Sequence, residues 1–181
     1  MHSLSDGLFP RSFPGGLLRR LRPGDLGCFQ SYRSIPELGR FQSWSPMSAT
    51  EALAFLTTMN TAPLFSPGEW IQLGIAEPAT ERLIGDIGIY VAEDGNSAKI
   101  GFTLEPDAQG RGIATAAVGE AIDLLFAATK VQQVFGITDD RNAASIRLLE
   151  RTGFRCKGSQ DAVFRGEPCI EKIYVLARKG A

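Results

Sequence analysis

The run LEPDAQGRGIATAAVGEAIDLLFAA, residues 104–128, holds the side chains and spacing best suited to gripping an anion. Gln109, Gly110, Arg111 and Gly112 come directly before a helix-forming stretch of alanine, leucine and isoleucine. A helix N-terminus carries backbone N–H groups without intrahelical acceptors and a partial positive charge, and both favour phosphate. Glycines remove the side chains that would keep a ligand oxygen away from those groups. Arg111 adds a permanent cation able to fork onto phosphate, and Thr115 a hydroxyl one turn in. Residues 109–114 thus have what a diphosphate cradle needs, although a plain tight turn would use the same glycines. Two known cradles do not fit. The Gly-Lys-Ser/Thr of a P-loop is absent. The dinucleotide fingerprint wants a third glycine, where Thr115 stands, and a strand near the start of a βαβ unit.

Other chemistries are excluded by what is missing. The one histidine, His2, stands near the start of the chain, which argues against a histidine-based metal site or a Ser-His-Asp triad. Cys28, Cys156 and Cys169 are odd in number and lack a CxxC spacing, so they predict reduced thiols in a cytoplasmic protein. The formal net charge of -1 and the pI of about 5.9 suggest neither nucleic acid nor membrane as a partner. No uncharged apolar run approaches a membrane span. Residues 1–16 lack a basic start followed by an apolar core, and read as a tail rather than a secretory signal. LLRRLR reads as a strand with exposed arginines.

The elements that must position the cradle follow from periodicity and punctuation. A first strand over 17–22 stops at Pro23 and Gly24. A short helix over 25–35 would take Asp25 as its cap. Ser48 and Glu51 form a capping box for a second helix, with Leu53, Phe55 and Leu56 as its apolar stripe. Three strands, over 70–76, 83–91 and 98–104, are joined by short turns into an antiparallel meander. A long helix over 114–129 buries Val118, Ile122, Leu125 and Phe126. A strand from Val131, a helix capped by Asn142 and closed by Gly153, and two strands meeting at RGEP complete the chain. The expected domain, 17–181, is α/β (α+β), with about seven strands in a mostly antiparallel sheet and about four helices. The crossover through the long helix should make its flanking strands, the fourth and fifth, parallel.

With the turn and the element order in place, the chain resembles the GNAT superfamily of N-acetyltransferases. QGRGIA matches that family's Gln/Arg-x-x-Gly-x-Gly/Ala signature through Gln109, Gly112 and Ala114. NAASIRLLERTGF is similar to its second signature, an asparagine, a helix and a closing Gly-Phe. RFQSWSP before a helix, a tryptophan opening a strand, and LIGDIGIYV resemble the branch that acetylates protein N-termini, including ribosomal-protein alanine and serine acetyltransferases. The resemblance covers about residues 17–178.

The resemblance implies acetyl-CoA as co-substrate, with its pyrophosphate on Gln109, Gly110, Arg111, Gly112, Ile113, Ala114 and Thr115. It implies that the pantetheine arm pairs like an added strand with Phe102, Thr103 and Leu104. That strand and the one over 134–138 would splay to admit the thioester, with Asn142 touching the cofactor or merely capping its helix. The acceptor would be a primary amine, of a protein N-terminus or a small molecule, attacking the thioester directly. The tyrosine acid of many family members is missing, since Leu149 stands there, and Ser145 fits the serine of the N-terminal-acetylating branch. Glu105 is the candidate base, with Asp86, Asp139 and Asp140 also weighed. Trp44, Asp86 and Tyr174 are candidates for the acceptor site, and Glu171 for an amine contact; Tyr174, Trp44 and Trp70 could equally pack. Strand-exchanging dimers are common in folds of this type, which allows a homodimer. A non-catalytic acyl-CoA-binding sensor is the alternative function.

Overall fold

The computed structural model describes residues 7–180. One eight-stranded sheet runs in the order β1-β2-β3-β4-β5-β6-β8-β7. Its strands are β1 (Arg11–Phe13), β2 (Gly16–Arg20), β3 (Trp70–Ala76), β4 (Leu83–Val91), β5 (Ser97–Leu104), β6 (Gln133–Asp139), β7 (Arg155–Phe164) and β8 (Glu167–Ala177). The helices are α1 (Leu26–Arg33), α2 (Pro36–Gly39), α3 (Ala49–Thr61), α4 (Ile113–Ala128) and α5 (Ala143–Arg151). Every neighbouring pair is antiparallel except β5 and β6, which flank the α4 crossover.

The expected meander and both C-terminal hairpin strands are present, with small changes of extent. β1 lies inside the segment read as a tail, which brings the strands to eight; residues 1–6, with His2, fall outside the described residues. The short α2 brings the helices to five. β7 runs on to Phe164, because β8 pairs with it along its whole length.

The sheet has helices on both faces, so its middle strand, LIGDIGIYV of β4, is buried almost throughout. On one face Val118, Ala121, Ile122 and Leu125 of α4 join the main core with Ile71, Leu73, Ile87 and Ile89. On the other, Phe29 and Tyr32 of α1 meet Ala52 and Leu56 of α3 over Leu21 and Leu83. Ser48 and Glu51 form the expected reciprocal capping box at the start of α3. Leu53, placed on the buried stripe by its spacing, is instead 42% exposed; Ala52 takes the inward position.

The arginines of LLRRLR are not a solvated row. Arg19 is 2% exposed and pairs both guanidinium nitrogens with Asp25, at 2.9 and 2.8 Å. It also donates to the Glu81 carbonyl at 2.7 Å. Asp25 therefore does not cap α1 with its side chain. It accepts from the Arg22 N–H and locks the turn after β2. Arg20 reaches the Ala62 carbonyl at the end of α3. Removing one partner of a buried pair strands the other charge, so Asp25→Ala should cost about 3–5 kcal/mol in urea unfolding. A loss below about 1 kcal/mol would mean the pair behaves as a solvated one.

Candidate functional site

The site begins where a hydrogen-bond ladder stops. β5 and β6 pair only at Ser97–Gln133, Ala98–Val134 and Lys99–Phe135. Beyond that point β4 holds β5 as far as Leu104, and β8 holds β6 as far as Asp139, so the two strands separate. The gap opens towards their C-terminal ends, where α4 and α5 begin. Such a crevice at the carboxyl ends of parallel strands is a recurrent ligand position in α/β sheets.

Two cavities meet in this gap. The larger, of about 300 Å³, lies on the α1 side and is lined by Phe41, Trp70, Lys99, Asp139, Phe164 and Glu171, among others. The smaller lies on the α5 side, against Phe102, Asn142, Ser145 and Leu149. Phe41, Gln42, Ile100, Gly101, Ile137 and Thr138 line both, so the two cavities adjoin at the gap. Gly136 makes room for Leu149: a Cβ there would stand 2.5 Å from a Leu149 methyl.

Two carbonyls of β5 beyond its pairing with β6 are taken by side-chain amides. Gln42 Nε2 donates to the Phe102 carbonyl at 3.0 Å, and Gln109 Nε2 to the Leu104 carbonyl at 2.9 Å. Gln109 thus braces the strand end rather than the turn that follows it. In that turn Gly110 and Gly112 have φ of +72° and +77°, a region glycine enters without strain, and a Cβ at either would meet open space. Gly112 is the N-cap of α4 and offers no side-chain hydrogen bond, so the first-turn N–H groups of this 16-residue helix stay bare. Arg111 is exposed beside them, with Thr115 half-buried. The residues present fit a diphosphate, through amides, a helix dipole and one guanidinium.

At the start of α5, Asn142 Oδ1 accepts from the Ser145 N–H at 3.2 Å, so the capping role is real. Ser145 lines the α5-side cavity together with Ile100, Gly101 and Phe102 of β5. Asn142, Ser145 and Phe102 are therefore brought together.

The remaining expectations divide. Glu105 lines neither cavity. It takes a two-point contact from Arg82, at 2.6 and 3.0 Å, and Arg82 also binds Glu77. This carboxylate is held as an ion-pair partner outside both cavities, a position that does not favour Glu105 as the base. Asp86 is fully buried and accepts from Arg33 at 2.6 and 3.2 Å, from Tyr32 and from Gln72. It touches no cavity, so it supports α1 on the sheet rather than meeting an acceptor. Burial first, and then the Asp86 charge, push the Tyr32 phenol well above its ordinary pKa. Tyr174 is buried with its hydroxyl donating to Glu150 at 3.1 Å, and it packs. Trp44 stands behind the wall: its ring lies 4.3 Å from the Arg33 guanidinium, and its Nε1 donates to Thr103 Oγ1 at 3.3 Å. Trp70, expected to pack, is 50% exposed and lines the larger cavity. Phe41, Gln42, Lys99 and Phe164 were missed; RFQSWSP contains two of them, while the other two arrive only through strand register.

Asp139 and Glu171 face each other across β6 and β8 at the cavity wall. Two carboxylates opposite each other repel unless each is satisfied. Arg141 binds both oxygens of Asp139, at 2.8 and 2.6 Å, and Gln160 donates to Glu171 at 2.9 Å. The hydrogen bonds from Arg141 hold the Asp139 carboxyl at about 2. A depressed folded-state pKa adds stability that is present above the ordinary carboxylate value and is lost as pH falls towards 2. The Arg141→Gln variant should raise the Asp139 carboxyl towards its ordinary range, seen by NMR. The wild type's stability advantage should then be constant near neutrality and fade between about pH 4 and 2.

Comparison with known proteins agrees with this geometry. The family described as Acetyltransferase (GNAT) domain matches residues 17–155. An uncharacterized N-acetyltransferase of Bacillus subtilis (strain 168), YoaA, is 26% identical over 166 residues, covering 90% of this chain and 93% of its own. The fold is that of a GNAT-family acetyltransferase from Bacillus anthracis, with a TM-score of 0.81 at 16% identity, over 93% of this chain and 98% of that one. It is also that of RimL, a ribosomal L7/L12 alpha-N-protein acetyltransferase solved with coenzyme A, with a TM-score of 0.78 at 14% identity, over 92% and 96% of the two chains. The splayed strands, the bare helix mouth and the family match lead to one conclusion: this chain belongs to the GNAT acetyltransferases and moves an acetyl group from acetyl-CoA to an amine.

Proposed function

We propose that transfer takes place through the β5–β6 gap, with acetyl-CoA held on the α4–α5 side and a primary amine arriving from the α1 side. The observation that carries this is the gap itself, a phosphate-suited turn at one end and a separate cavity of about 300 Å³ at the other. Acetyl-CoA supplies the thioester, whose carbonyl carbon the amine attacks and whose C–S bond breaks.

The chain's own residues then have distinct tasks. The amides of 112–115 and Arg111 hold the diphosphate. The edge of β5 at 102–104, whose Phe102 and Leu104 carbonyls already accept from Gln42 and Gln109, offers strand-like hydrogen bonds to the pantetheine arm through its remaining groups, and a gap-facing N–H can polarise the thioester carbonyl. Asn142 fixes the first turn of α5, which keeps the Ser145 hydroxyl facing the departing sulfur as its proton donor. An alkyl amine must lose a proton to attack, so a carboxylate near its path helps. Glu171 lines the acceptor cavity and forms no ion pair among the described residues, whereas Asp139 is held by Arg141. Glu171 therefore replaces Glu105 as the base, directly or through water. The acceptor is the amine of a protein N-terminus or of a small molecule.

Thiol release measured with a peptide and small-amine panel tests these roles. Arg111→Glu should weaken acetyl-CoA binding about tenfold or more, since it exchanges a charge-assisted contact for repulsion. Unchanged affinity would remove the cradle. Ser145→Ala should lower kcat by about tenfold or more with acetyl-CoA affinity within about twofold; equal losses in both would make it a binding residue instead.

A further inference from the structure

The hairpin joining β7 and β8 turns on two residues, Arg165 and Gly166, between the paired Phe164 and Glu167. Both have positive φ, +52° and +83°. Such two-residue turns favour asparagine or aspartate followed by glycine, because a longer side chain at positive φ is strained. Arginine at the first position is a poor choice for the turn alone. A residue kept in an unfavourable conformation invites a search for what its side chain does.

The Arg165 side chain leaves the hairpin and reaches a segment more than a hundred residues away. Its Nη2 donates to the Gln42 carbonyl at 3.1 Å and to the Trp44 carbonyl at 2.8 Å. Its guanidinium also lies 5.3 Å from the Phe164 ring, which lines the acceptor-side cavity. Phe41, Gln42 and Ser43 form the facing wall of that cavity. From the other side the same wall is tied to the sheet by Gln42 to the Phe102 carbonyl and by Trp44 to Thr103. Arg165 thus ties the hairpin wall to the loop wall, and the Arg141 guanidinium, 5.8 Å from the Phe41 ring, adds a weaker contact from the end of β6.

We propose that Arg165 is a positioning residue for the acceptor: it clamps the 41–44 wall against the β7–β8 hairpin and so sets the width of the amine's entry to the gap. This rests on the gap being the site of transfer. The clamp lies away from the 109–115 cradle; of the wall it holds, Phe41 and Gln42 also reach the α5-side cavity, while Ser43 lines the larger cavity alone. It explains why an arginine is kept where the backbone favours asparagine.

The test is Arg165→Asn, which suits the turn and removes the clamp. Tm should stay within about 2 °C of the wild type, because relief of the turn offsets two exposed hydrogen bonds. KM for the acceptor should rise about tenfold, and KM for acetyl-CoA by no more than about twofold, because the 109–115 cradle is untouched. Arg165→Lys, which keeps a donor but not the fork, should fall between the two. In a Trp70→Phe background, Trp44 emission should become more open to acrylamide quenching in the Arg165→Asn protein. A merely structural arginine would lower Tm and leave the acceptor KM alone, which would overturn the proposal. So would unaltered quenching, even if the wild type transferred acetyl to nothing; that last result would sink the gap as the transfer site while the quenching experiment still judged the clamp.

Discussion

The structure depends on a strand edge left open. A parallel pair that stops after Lys99 and Phe135 exposes the main chain of the next residues of β5 inside the protein. Unpaired backbone groups away from water are costly, so an opening like this persists only if each strand is secured elsewhere. β4 secures β5, and β8 secures β6 along its full length. Two carbonyls beyond the pairing are met by glutamine amides that the fold brings from opposite directions, Gln42 from the loop after α2 and Gln109 from the turn before α4. Side-chain amides are suitable stand-ins because they satisfy an acceptor without closing the edge as a neighbouring strand would. The gap is therefore built as a permanent feature of the sheet.

The buried charges serve the same end. Asp86 sits in the middle of β4 and collects Arg33, Tyr32 and Gln72. Arg33 then presents the face of its guanidinium to Trp44, and Trp44 reaches Thr103 on β5. A buried ion pair contributes little net stability over a well-packed apolar substitute, but it accepts few alternative geometries. Here it fixes the angle at which α1 and the loop after α2 lie on the sheet, and hence the position of the cavity wall. Arg19 and Asp25 do the same for the turn that leads into α1.

Much of this was legible in the sequence where the signal is local. The apolar runs of β3 and β4, the Ser48–Glu51 box and the glycines around Arg111 are each set by neighbours in the chain, and each stands where its pattern puts it. Asn142 as a cap needed only its three following residues. What was not legible depends on distant partners. Glu105 reads as a free strand-end carboxylate until Arg82, 23 residues earlier, is seen to hold it. Asp86 reads as accessible until α1 covers it. Arg19 reads as outward because strand alternation says nothing of an aspartate beyond the next turn. The larger cavity draws Phe41, Trp70, Lys99, Phe164 and Glu171 from five separate segments, and only the register of β8 on β6 sets Glu171 opposite Asp139.

The absent tyrosine is better understood from α5 than from a search for its replacement. Leu149 occupies its place and packs against Gly136, closing the gap with carbon where a hydroxyl would have stood. The leaving group, however, is a thiolate, whose conjugate acid resembles an ordinary cysteine with a pKa of about 8.5. Such a group needs stabilisation near neutral pH more than it needs a strong acid. In the proposed mechanism the N-terminus of α5 supplies it: among the described residues Asn142 caps only the Ser145 N–H, and Asn142 and Ser145 both line the α5-side cavity, so the positive end of the helix stands at the gap. On that proposal the Ser145 hydroxyl has only to deliver a proton to sulfur already favoured as an anion, a task within reach of a weak acid held in the right place. The proposed division of charge stabilisation and proton delivery between a helix end and a serine would make the missing phenol a smaller loss than its pKa alone suggests.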